Sequence, residues 1–488
     1  MEILTKAIRC SSKEWFSNHL FLRPLMMNTE RFSSAQTFKY DQMVINKSVN
    51  LQPLPDPSTL VFGKTFSDHM LQIEWTETNG WGPPQITPLH HFQMHPGSKV
   101  FQYAQAAFEG LKAFRYSDSR VALFRPELNA KRFLTSAHRL SLPPFDSEEF
   151  LKCIKELVSI DRRWVPKDDR SSLYLRPTFI GTEDSLGVAP AKSALLYVVT
   201  CPVGPYFKTG LTEAVSLLAD PSFVRAFPGG AGGYKLAANY APTLYVQKIA
   251  QEQGLDQVLW LYGEDHQICE AGAMNVFFLL KKEGGDLELV TPPLDGTILP
   301  GVVRQSILDL AREWKEFDVS ERNINMQELI TRNKQQQLLE MFICGTACIL
   351  CPVKSIRFKN NDIEIPTKLR ERPMYLRFLK AVTDIQYGRV PSKWSVQGFL
   401  LINWHISIFS DGQFVWPREN FDARRTNKLI NNNFEMATFV PNDKTSSLQE
   451  GKNFNPLLLR LYSECFENRV DAMEIKIKWL VSMIGLTD

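Results

Sequence analysis

The chain of 488 residues is long enough for at least two domains with sizeable hydrophobic cores. Hydrophobic residues make up 44% and charged residues 22% of the chain, as in ordinary globular proteins, and a net charge of +3 gives no argument for nucleic acid or a membrane surface as partner. Apolar runs stay shorter than the roughly 18 residues of a membrane-spanning helix, and the eight cysteines are not spaced as a disulfide framework, so we expect a reducing compartment.

Residues 1–50 are predicted to form a leader segment. Arginines and serines alternate there with large apolar residues, and acids are few. This composition is typical of a mitochondrial presequence, although a disordered amino-terminal tail would have a similar pattern. We therefore expect a mitochondrial protein, with a cytoplasmic location as the alternative.

Residues 51–202 are predicted to form a small α/β domain, followed by an interdomain loop at residues 203–208. The loop follows from the turn-rich run Cys201–Pro205. The elements predicted from apolar spacing are strands at Met70–Trp75, Phe108–Phe114 (broken by a glycine), Val121–Phe124, Leu173–Arg176 and Ala194–Thr200, and helices from Pro126 and over Ser147–Ile160.

Residues 209–396 are predicted to form a larger domain. A helix is expected between Pro242 and Gly254, with Leu244, Tyr245, Ile249 and Ala250 on one apolar face. The other predicted elements are strands at Val215–Leu218, Gln257–Tyr262, Met341–Cys344 and Cys348–Phe358, a hairpin of Met274–Leu280 with Leu287–Val290, and helices after Gly301 and over Met374–Ile385.

Residues 397–488 differ in character from the rest. They are rich in asparagine, and regular spacing of apolar residues appears only near their end. The sequence leaves three interpretations open: a small added domain, a disordered extension, or the product of an uncertain gene model. We treat this part as an extension of unknown fold.

One stretch stands out for its chemistry, a run of small residues at 229–233 followed by Lys235. Small residues let the backbone approach a ligand closely or adopt positive φ. An ammonium group without nearby acids is more easily deprotonated when it is desolvated, and a neutral lysine can form a Schiff base. A surface lysine on a flexible loop is the alternative interpretation.

Further residues favour a site for a phosphorylated pyridine cofactor. Glu270 could keep a pyridine nitrogen protonated, and Tyr240 follows Lys235 closely enough to hydrogen-bond a ring oxygen. A helix start at Gly301 offers free N–H groups to a phosphate, and Arg132 could supply a fixed cation. Each of these is weak alone, but together and in this order they are more specific.

A series of motifs then extends over residues 61–394. They are Phe62–Met70, Phe108–Phe114, Leu123–Pro126, Ser172–Pro177, Gly233–Leu236, Asn239–Tyr240, Gln257–Gly263, Leu299–Ser306, Gly345–Cys348 and Cys351–Val353. In this order they resemble the eukaryotic branched-chain amino-acid aminotransferases, which are fold-type IV pyridoxal-phosphate enzymes. The resemblance implies an α/β fold of two domains, a small open α/β sandwich and a larger pseudo-barrel.

The resemblance also implies roles for individual residues. Lys235 would form the Schiff base with pyridoxal 5'-phosphate and carry the proton, Glu270 would face the pyridine nitrogen, and Tyr240 the ring oxygen. The residues implied in holding the phosphate are Arg132, Val302, Val303 and Thr346. The residues implied in holding the substrate are Phe62, Phe108, Tyr174 and Tyr206 as pocket walls, Arg176 for the distal carboxylate of glutamate, and Thr346 and Ala347 with Tyr103 of a second subunit for the α-carboxylate.

The activity implied is transamination of leucine, isoleucine and valine with 2-oxoglutarate, in two half-reactions, by a homodimer. Aromatic walls would bind the aliphatic chains through the apolar area buried, and one arginine at the far edge would suit the carboxylate of glutamate. Partners among nucleic acids or membranes are not expected.

Two departures from the family pattern concern the site. Ala273 stands where a threonine is more usual, and Ile343 and Cys344 stand where small residues are more usual. Cys348 and Cys351 form a CxxC; two buried thiols are the plain interpretation, and a zinc site would need two further ligands that the sequence does not supply. Vertebrate relatives carry a thiol switch here, so the resemblance also predicts that peroxide lowers activity and dithiothreitol restores it.

The alternatives are of two kinds. The first is another enzyme of the same fold, a D-amino acid aminotransferase or an aminodeoxychorismate lyase. The second is a catalytically idle thiol-redox or chaperone-like protein that uses the CxxC.

Overall fold

The computed structural model describes residues 37–205 and 213–397. The greater part of the predicted leader, the predicted pocket residue Tyr206, and the extension beyond residue 397 therefore lie outside the described residues. Phe38, which falls in the range predicted as leader, is only 2% exposed and packs in a hydrophobic core, and the Tyr40 N–H donates to Glu149 at 2.7 Å. The end of that range thus belongs to the folded chain.

Two β-sheets organise the described residues. The strands of the first half are β1 (Val44–Ile45), β2 (His69–Thr76), β3 (Gly80–Trp81), β4 (Gln85–Pro88), β5 (Ala106–Phe108), β6 (Leu111–Arg115), β7 (Val121–Phe124), β8 (Ser172–Gly181) and β9 (Ser193–Val203). Those of the second half are β10 (Val215–Ala219), β11 (Gln257–Tyr262), β12 (Gln267–Ala271), β13 (Asn275–Lys281), β14 (Leu287–Thr291), β15 (Asp318–Glu321), β16 (Leu338–Gly345), β17 (Ile349–Phe358), β18 (Asn361–Glu364) and β19 (Ser395–Gln397).

Helices cover and connect these sheets. They are α1 (Lys99–Tyr103), α2 (Pro126–Arg139), α3 (Ser147–Ile160), α4 (Thr243–Glu252), α5 (Val302–Trp314), α6 (Met326–Lys334) and α7 (Met374–Gln386). Short 3-10 segments occur at Tyr40–Gln42, Pro57–Thr59, Arg162–Trp164, Ala237–Asn239 and Pro366–Leu369.

The first sheet has the strand order β1-β4-β2-β9-β8-β6-β7-β19, with β3 beside β2 and β5 beside β8. Its central strands β8 and β9 pair antiparallel over ten residues, from Ser172 opposite Val203 to Gly181 opposite Ala194. Helices α2 and α3 pack against it through the core that contains Phe133, Phe150 and Leu157. This sheet carries one wall of the site described below.

The second sheet has the order β12-β11-β10-β17-β16-β13-β14-β15, with β18 beside β17. Strand β10 runs parallel to both β11 and β17, while β16 and β17 form an antiparallel hairpin that closes at Gly345 opposite Ile349. Two parts of this sheet belong to the site described below, the turn between β16 and β17 and the edge strand β12.

Most predicted elements are confirmed. The bounds of Val121–Phe124, Ser147–Ile160 and Gln257–Tyr262 agree with β7, α3 and β11, and the predicted hairpin is the antiparallel pair β13 and β14. The predicted face of α4 was partly wrong: Ala250 is buried as predicted, but Leu244 and Tyr245 are 70% and 66% exposed, because the helix packs through Val246 together with Ala250. Strand β12, strand β15 and helix α6 were not predicted.

The chain crosses the predicted domain limits at two places. Cys201 and Val203, taken as part of a hinge, continue strand β9, and Ser395–Gln397 pairs antiparallel with β7 of the first sheet. The division at residues 203–208 and 396 stays a prediction. Among the described residues, no helix combines the length and apolar character needed to cross a membrane.

Candidate active site

Lys235 lies beside strand β5 of the first sheet, where Leu236 forms an isolated bridge with Ala107. Its backbone N–H donates to Ser136 Oγ on α2 at 2.9 Å, and its carbonyl accepts from the Phe108 N–H at 3.1 Å. The Nζ atom donates to Tyr240 Oη at 3.2 Å and lies 4.7 Å from the centre of the Phe108 ring. A primary amine is thus fixed at its backbone and directed at a phenol and an aromatic wall, and the roles predicted for Lys235 and Tyr240 toward a cofactor stay predictions.

The glycine-rich run before Lys235 allows a close backbone approach. A Cβ added at Gly232 would lie 2.4 Å from Ala226 Cβ and 2.8 Å from the Thr297 carbonyl oxygen, so a side chain does not fit there. The strap that carries the lysine, residues 220–235, therefore packs directly on the loop that precedes α5.

Glu270 lies on β12 and is 3% exposed. Its Oε1 accepts from the Leu299 N–H at 2.8 Å and from Asn275 Nδ2 at 3.1 Å, and its Oε2 lies 3.2 Å from Arg225 Nη2. Burial raises the pKa of the Glu270 carboxyl, and the Arg225 guanidinium opposes this. The side chain is fixed in one orientation by neutral and cationic donors.

The start of α5 lies close to this carboxylate and could hold an anion. A Cβ at Gly301 would lie 2.0 Å from Asn275 Oδ1, so the helix must begin with glycine here. The first N–H groups of the helix, at Val302 and Val303, have no partner within it and attract an anion together with the helix dipole. A cavity of about 260 Å³ opens at this point, lined by Arg132, Gly301 and Val302 among others.

Arg132 is held in this cavity by a buried acid. Its Nε and Nη2 donate to the two carboxylate oxygens of Glu109 at 2.9 and 2.5 Å, and its Nη1 donates to the Pro300 carbonyl at 3.0 Å. Glu109 is 1% exposed and Arg132 9% exposed. The guanidinium is therefore anchored on one side and keeps its remaining N–H groups for a ligand.

The turn between β16 and β17 is held by Lys112. This lysine is 6% exposed, and its Nζ donates to the Ala347 carbonyl at 2.9 Å. Burial lowers the pKa of Lys112 to about 8. Thr346 and Ala347, both predicted site residues, are thus tied from the second sheet to β6 of the first.

Four of the predicted substrate-binding residues form one continuous group: the predicted wall residues Phe62, Phe108 and Tyr174, and Arg176. The rings of Phe62 and Tyr174 are 4.9 Å apart, and the Arg176 guanidinium lies 5.0 Å from the Phe108 ring centre and 5.2 Å from that of Tyr174. Arg176 Nη2 also donates to Tyr174 Oη at 3.1 Å, while its buried Nε has no hydrogen-bond partner. Phe108 in turn contacts the Tyr240 ring at 4.8 Å, which links this wall to the lysine.

Tyr103 lies apart from this group. It ends α1, is 43% exposed, and its hydroxyl donates to the Leu186 carbonyl. Phe101 on the same helix, Leu186 and nearby Val188 are also exposed. Its placement on an exposed apolar surface is compatible with the expectation that it serves a second subunit.

Cys348 and Cys351 are buried thiols. Burial raises the pKa of Cys348 to about 12 and that of Cys351 well above its usual range. Cys348 Sγ lies 3.3 Å from Met274 Sδ, and Cys351 Sγ lies 3.3 Å from the Glu213 carbonyl. Because peroxide reacts with thiolate, a switch here would require the strand to open, and the redox role stays a prediction.

Three functional candidates were missed in the sequence: Glu109, Lys112 and Arg225. Glu109 and Lys112 gave a signal, since both are charged residues inside the otherwise apolar run Phe108–Phe114. A charge in a strand that is otherwise buried usually has a specific partner.

A cluster with metal-binding character occurs elsewhere, at Asp68, His69 and Asp161. It is satisfied by the protein itself: His69 Nδ1 lies 2.6 Å from Asp161 Oδ1, and His69 Nε2 accepts from the Ser48 N–H at 2.9 Å. Asp68 accepts from the Gln52 N–H at 2.8 Å and from the Arg163 and Trp164 side chains. The cluster anchors residues 48–52 rather than offering free ligand atoms.

Comparison with known proteins gives one consistent result. A family model described as amino-transferase class IV matches residues 106–356. The chain is 51% identical over 362 residues to the cytosolic branched-chain-amino-acid aminotransferase of Ovis aries, covering 74% of this chain and 94% of that protein. It is 51% identical over 371 residues to the mitochondrial branched-chain-amino-acid aminotransferase of Mus musculus, covering 76% and 94%.

Solved structures agree on the fold. A branched-chain amino acid aminotransferase from T.th., solved in complex with N-(5'-phosphopyridoxyl)-L-glutamate, is similar with a TM-score of 0.53 and 25% identity, over 66% of this chain and 97% of that one. The enzyme of Thermobaculum terrenum in its PLP form has a TM-score of 0.55 and 20% identity, over 68% and 99%.

Proposed function

The chain belongs to the class IV aminotransferases and, within them, to the branched-chain amino-acid aminotransferases, and on that premise we propose how its residues divide the reaction. The enzyme transfers the amino group of leucine, isoleucine or valine to 2-oxoglutarate, with pyridoxal 5'-phosphate as cofactor. The observation that carries the assignment of residues is a set of short contacts: Lys235 reaches Tyr240, Glu270 accepts from Leu299 just before α5, and Lys235 lies near enough to Glu270 to lower the pKa of its carboxyl.

The residues present suit the cofactor. Pyridoxal phosphate supplies, when bound, an aldehyde that exchanges amino groups and a protonated ring that accepts electron density. The glycine at the start of α5, where a Cβ would collide with Asn275, leaves free N–H groups for the phosphate, and Arg132 adds a fixed cation. The buried Glu270 is placed to hold a proton on the ring nitrogen, and Tyr240 to donate to the ring oxygen.

Lys235 carries the proton transfer in this proposal. Its amine would hold the cofactor's aldehyde and, when free, would take the proton from the substrate Cα and give it back to the cofactor. The hydrogen bonds of its backbone to Ser136 and Phe108 fix the point from which the amine extends.

The substrate pocket combines an apolar wall with two polar ends. Phe62, Phe108 and Tyr174 bury the branched side chain, and Arg176 meets the distal carboxylate of glutamate. The amides of Thr346 and Ala347 receive the α-carboxylate, in a turn whose position is held by Lys112.

We also propose a homodimer in which Tyr103 completes the partner's site. Its support is the exposure of Tyr103, Phe101, Leu186 and Val188 on one surface, since such apolar surfaces usually pack against another chain. A mitochondrial location is supported by the composition of residues 1–50, while similar relatives include cytosolic and mitochondrial enzymes.

The assignment is tested by spectroscopy and turnover together. Purified protein loaded with pyridoxal phosphate is expected to be yellow, to lose that colour on addition of leucine, and to regain it with 2-oxoglutarate while glutamate accumulates. Protein that binds the cofactor but responds to D-alanine and not to L-leucine would contradict the substrate class.

Replacing Arg176 with methionine is expected to separate the two substrates. Loss of the charged hydrogen bonds should raise KM for 2-oxoglutarate roughly 10- to 100-fold, because such bonds contribute about 1.5–3 kcal/mol, while the leucine half-reaction changes little. Stopped-flow measurement of each half-reaction checks this. Tyr174→Phe, which removes one hydrogen bond but keeps the guanidinium, is the matched control; equal losses for both substrates would contradict the role of Arg176.

A further inference from the structure

Arg225 is a buried cation directly behind the proposed ring-nitrogen partner. Its guanidinium is 7% exposed, and its Nη2 lies 3.2 Å from Glu270 Oε2 and 2.5 Å from the Thr297 carbonyl, to which it donates. Its buried Nε has no hydrogen-bond partner in the structure. The contact reaches from the strap before Lys235 to strand β12, between residues 45 positions apart in the chain.

The two oxygens of Glu270 have different surroundings. Oε1 accepts from two neutral donors, the Leu299 N–H and Asn275 Nδ2, whereas Oε2 faces the Arg225 guanidinium. The neutral donors fix the orientation and stabilise part of the negative charge, and the Arg225 cation opposes the effect of burial more strongly than they do. Arg225 is the charged side chain that forms an ion pair with Glu270 in the described part of the chain.

The other ionisable groups near Glu270 either lower the pKa of its carboxyl less than Arg225 does or are neutral. Lys235 and Arg132 also lower the pKa of its carboxyl, after Arg225 in size, while the thiols of Cys269 and Cys344 lie nearby and are neutral because burial raises their pKa values. In the catalytic cycle Lys235 changes its charge and bonding, and Arg132 is already paired with Glu109. The constant positive charge beside Glu270 is therefore that of Arg225.

We propose that Arg225 is a positioning residue that keeps Glu270 ionised and oriented, so that Glu270 can hold a proton on the cofactor's ring nitrogen. This inference rests on the function proposed for Glu270 and adds the group on which that function depends. Without Arg225 the buried carboxyl would take up a proton at higher pH, and a neutral carboxylic acid cannot stabilise a protonated pyridine nitrogen.

The test compares Arg225→Met, Arg225→Gln, Arg225→Lys and Glu270→Gln in the full chain loaded with pyridoxal phosphate. The readouts are the pH titration of the bound cofactor's absorbance, the dissociation constant of the cofactor, and the pH profile of kcat/KM for leucine. Arg225→Met and Arg225→Gln should both weaken cofactor binding and move the acid limb of the pH profile to higher pH. They should also lower kcat/KM at neutral pH roughly 10- to 100-fold, the range expected when a residue that orients a contact residue is lost. Arg225→Lys should recover part of each of these three effects, since it restores the charge but not the forked geometry.

The controls separate this inference from the function on which it rests. Arg125→Gln removes another buried arginine, paired with Asp309 at 2.7 Å, and should leave the acid limb in place. If Glu270→Gln impairs the cofactor spectrum but the neutral Arg225 variants keep the wild-type acid limb, the role of Arg225 is wrong and that of Glu270 stands. If Glu270→Gln itself resembles wild type, the proposed role of Glu270 is wrong, and the inference falls with it. If the double variant Arg225→Gln, Glu270→Gln has a kcat/KM no lower than that of Glu270→Gln alone, the proposal is supported. Strictly additive losses in kcat/KM would contradict it.

Discussion

Lys235→Ala should abolish transamination, lowering kcat by at least about 10⁴-fold, because one amine both anchors the aldehyde and moves the proton. The structure offers no substitute in that position: among the described residues, the atoms that Lys235 Nζ contacts are the Tyr240 hydroxyl and aromatic rings. The protein should also lose the absorbance that marks covalent attachment of the cofactor. Single-turnover assays with leucine, over hours if needed, measure the residual rate.

The matched control for this prediction is Lys248→Ala. Lys248 lies on α4, and its side chain is 75% exposed in an ion pair with Glu252 at 3.7 Å. Its removal should leave turnover and absorbance unchanged. A Lys235→Ala variant that is folded by circular dichroism and keeps substantial turnover would refute the assignment of the catalytic lysine.

Glu109→Ala is expected to cause the largest loss of stability among single substitutions at the site. It leaves the buried Arg132 guanidinium without the carboxylate that accepts two of its hydrogen bonds, and breaking such a pair costs about 3–5 kcal/mol. The affinity for pyridoxal phosphate should fall as well, since Arg132 would no longer be held against the start of α5. Urea unfolding of the cofactor-free and cofactor-bound protein measures both effects.

Two further variants make this prediction specific. Glu109→Gln keeps the size of the side chain but removes its charge, so it should lose less stability than Glu109→Ala. Glu316→Ala breaks an exposed ion pair with Arg377 and should have little effect, because water replaces its partner. If Glu109→Ala and Glu316→Ala were equally mild, the buried pair would not have the importance that its geometry indicates.

Local signals were enough to predict many elements. Strand β7 (Val121–Phe124) and helix α3 (Ser147–Ile160) have the predicted bounds because a short apolar run and a clear helical period, capped by Asp146, decide them without distant contacts. Lys235 could be proposed as a candidate for the same reason, since a glycine-rich run before a single lysine can be recognised within a short sequence window.

The elements that were missed depend on distant contacts. Strand β12 forms by pairing with β11, and helix α6 is largely polar, with only Met326 and Leu329 buried. The exposed face of α4 cannot be told from its buried face by apolar spacing, because Leu244 and Tyr245 are apolar yet face outwards.

The same limit applies to the site. Lys235, Glu270 and Arg132 could be assigned through the family resemblance, but the residues that support them could not. Arg225 reaches Glu270 across 45 residues, and the Lys112 amine reaches the Ala347 carbonyl across 235. No short sequence window contains both members of such a pair, so only the folded chain shows which acceptor each buried cation contacts.

The burial of Phe38 has a consequence for proteolytic maturation. If the amino-terminal segment is removed on import, a peptidase that cut near residue 50 would take away a core side chain, the Tyr40 contact to Glu149, strand β1 and the Ser48 N–H that donates to His69. Such a cut would have to fall before Thr37, whose Oγ1 accepts from the Asp146 N–H at 2.9 Å, for the core to stay intact. Residues 37–52 would then act as a brace across the first sheet, and import and folding would be compatible only with a leader shorter than composition alone indicates.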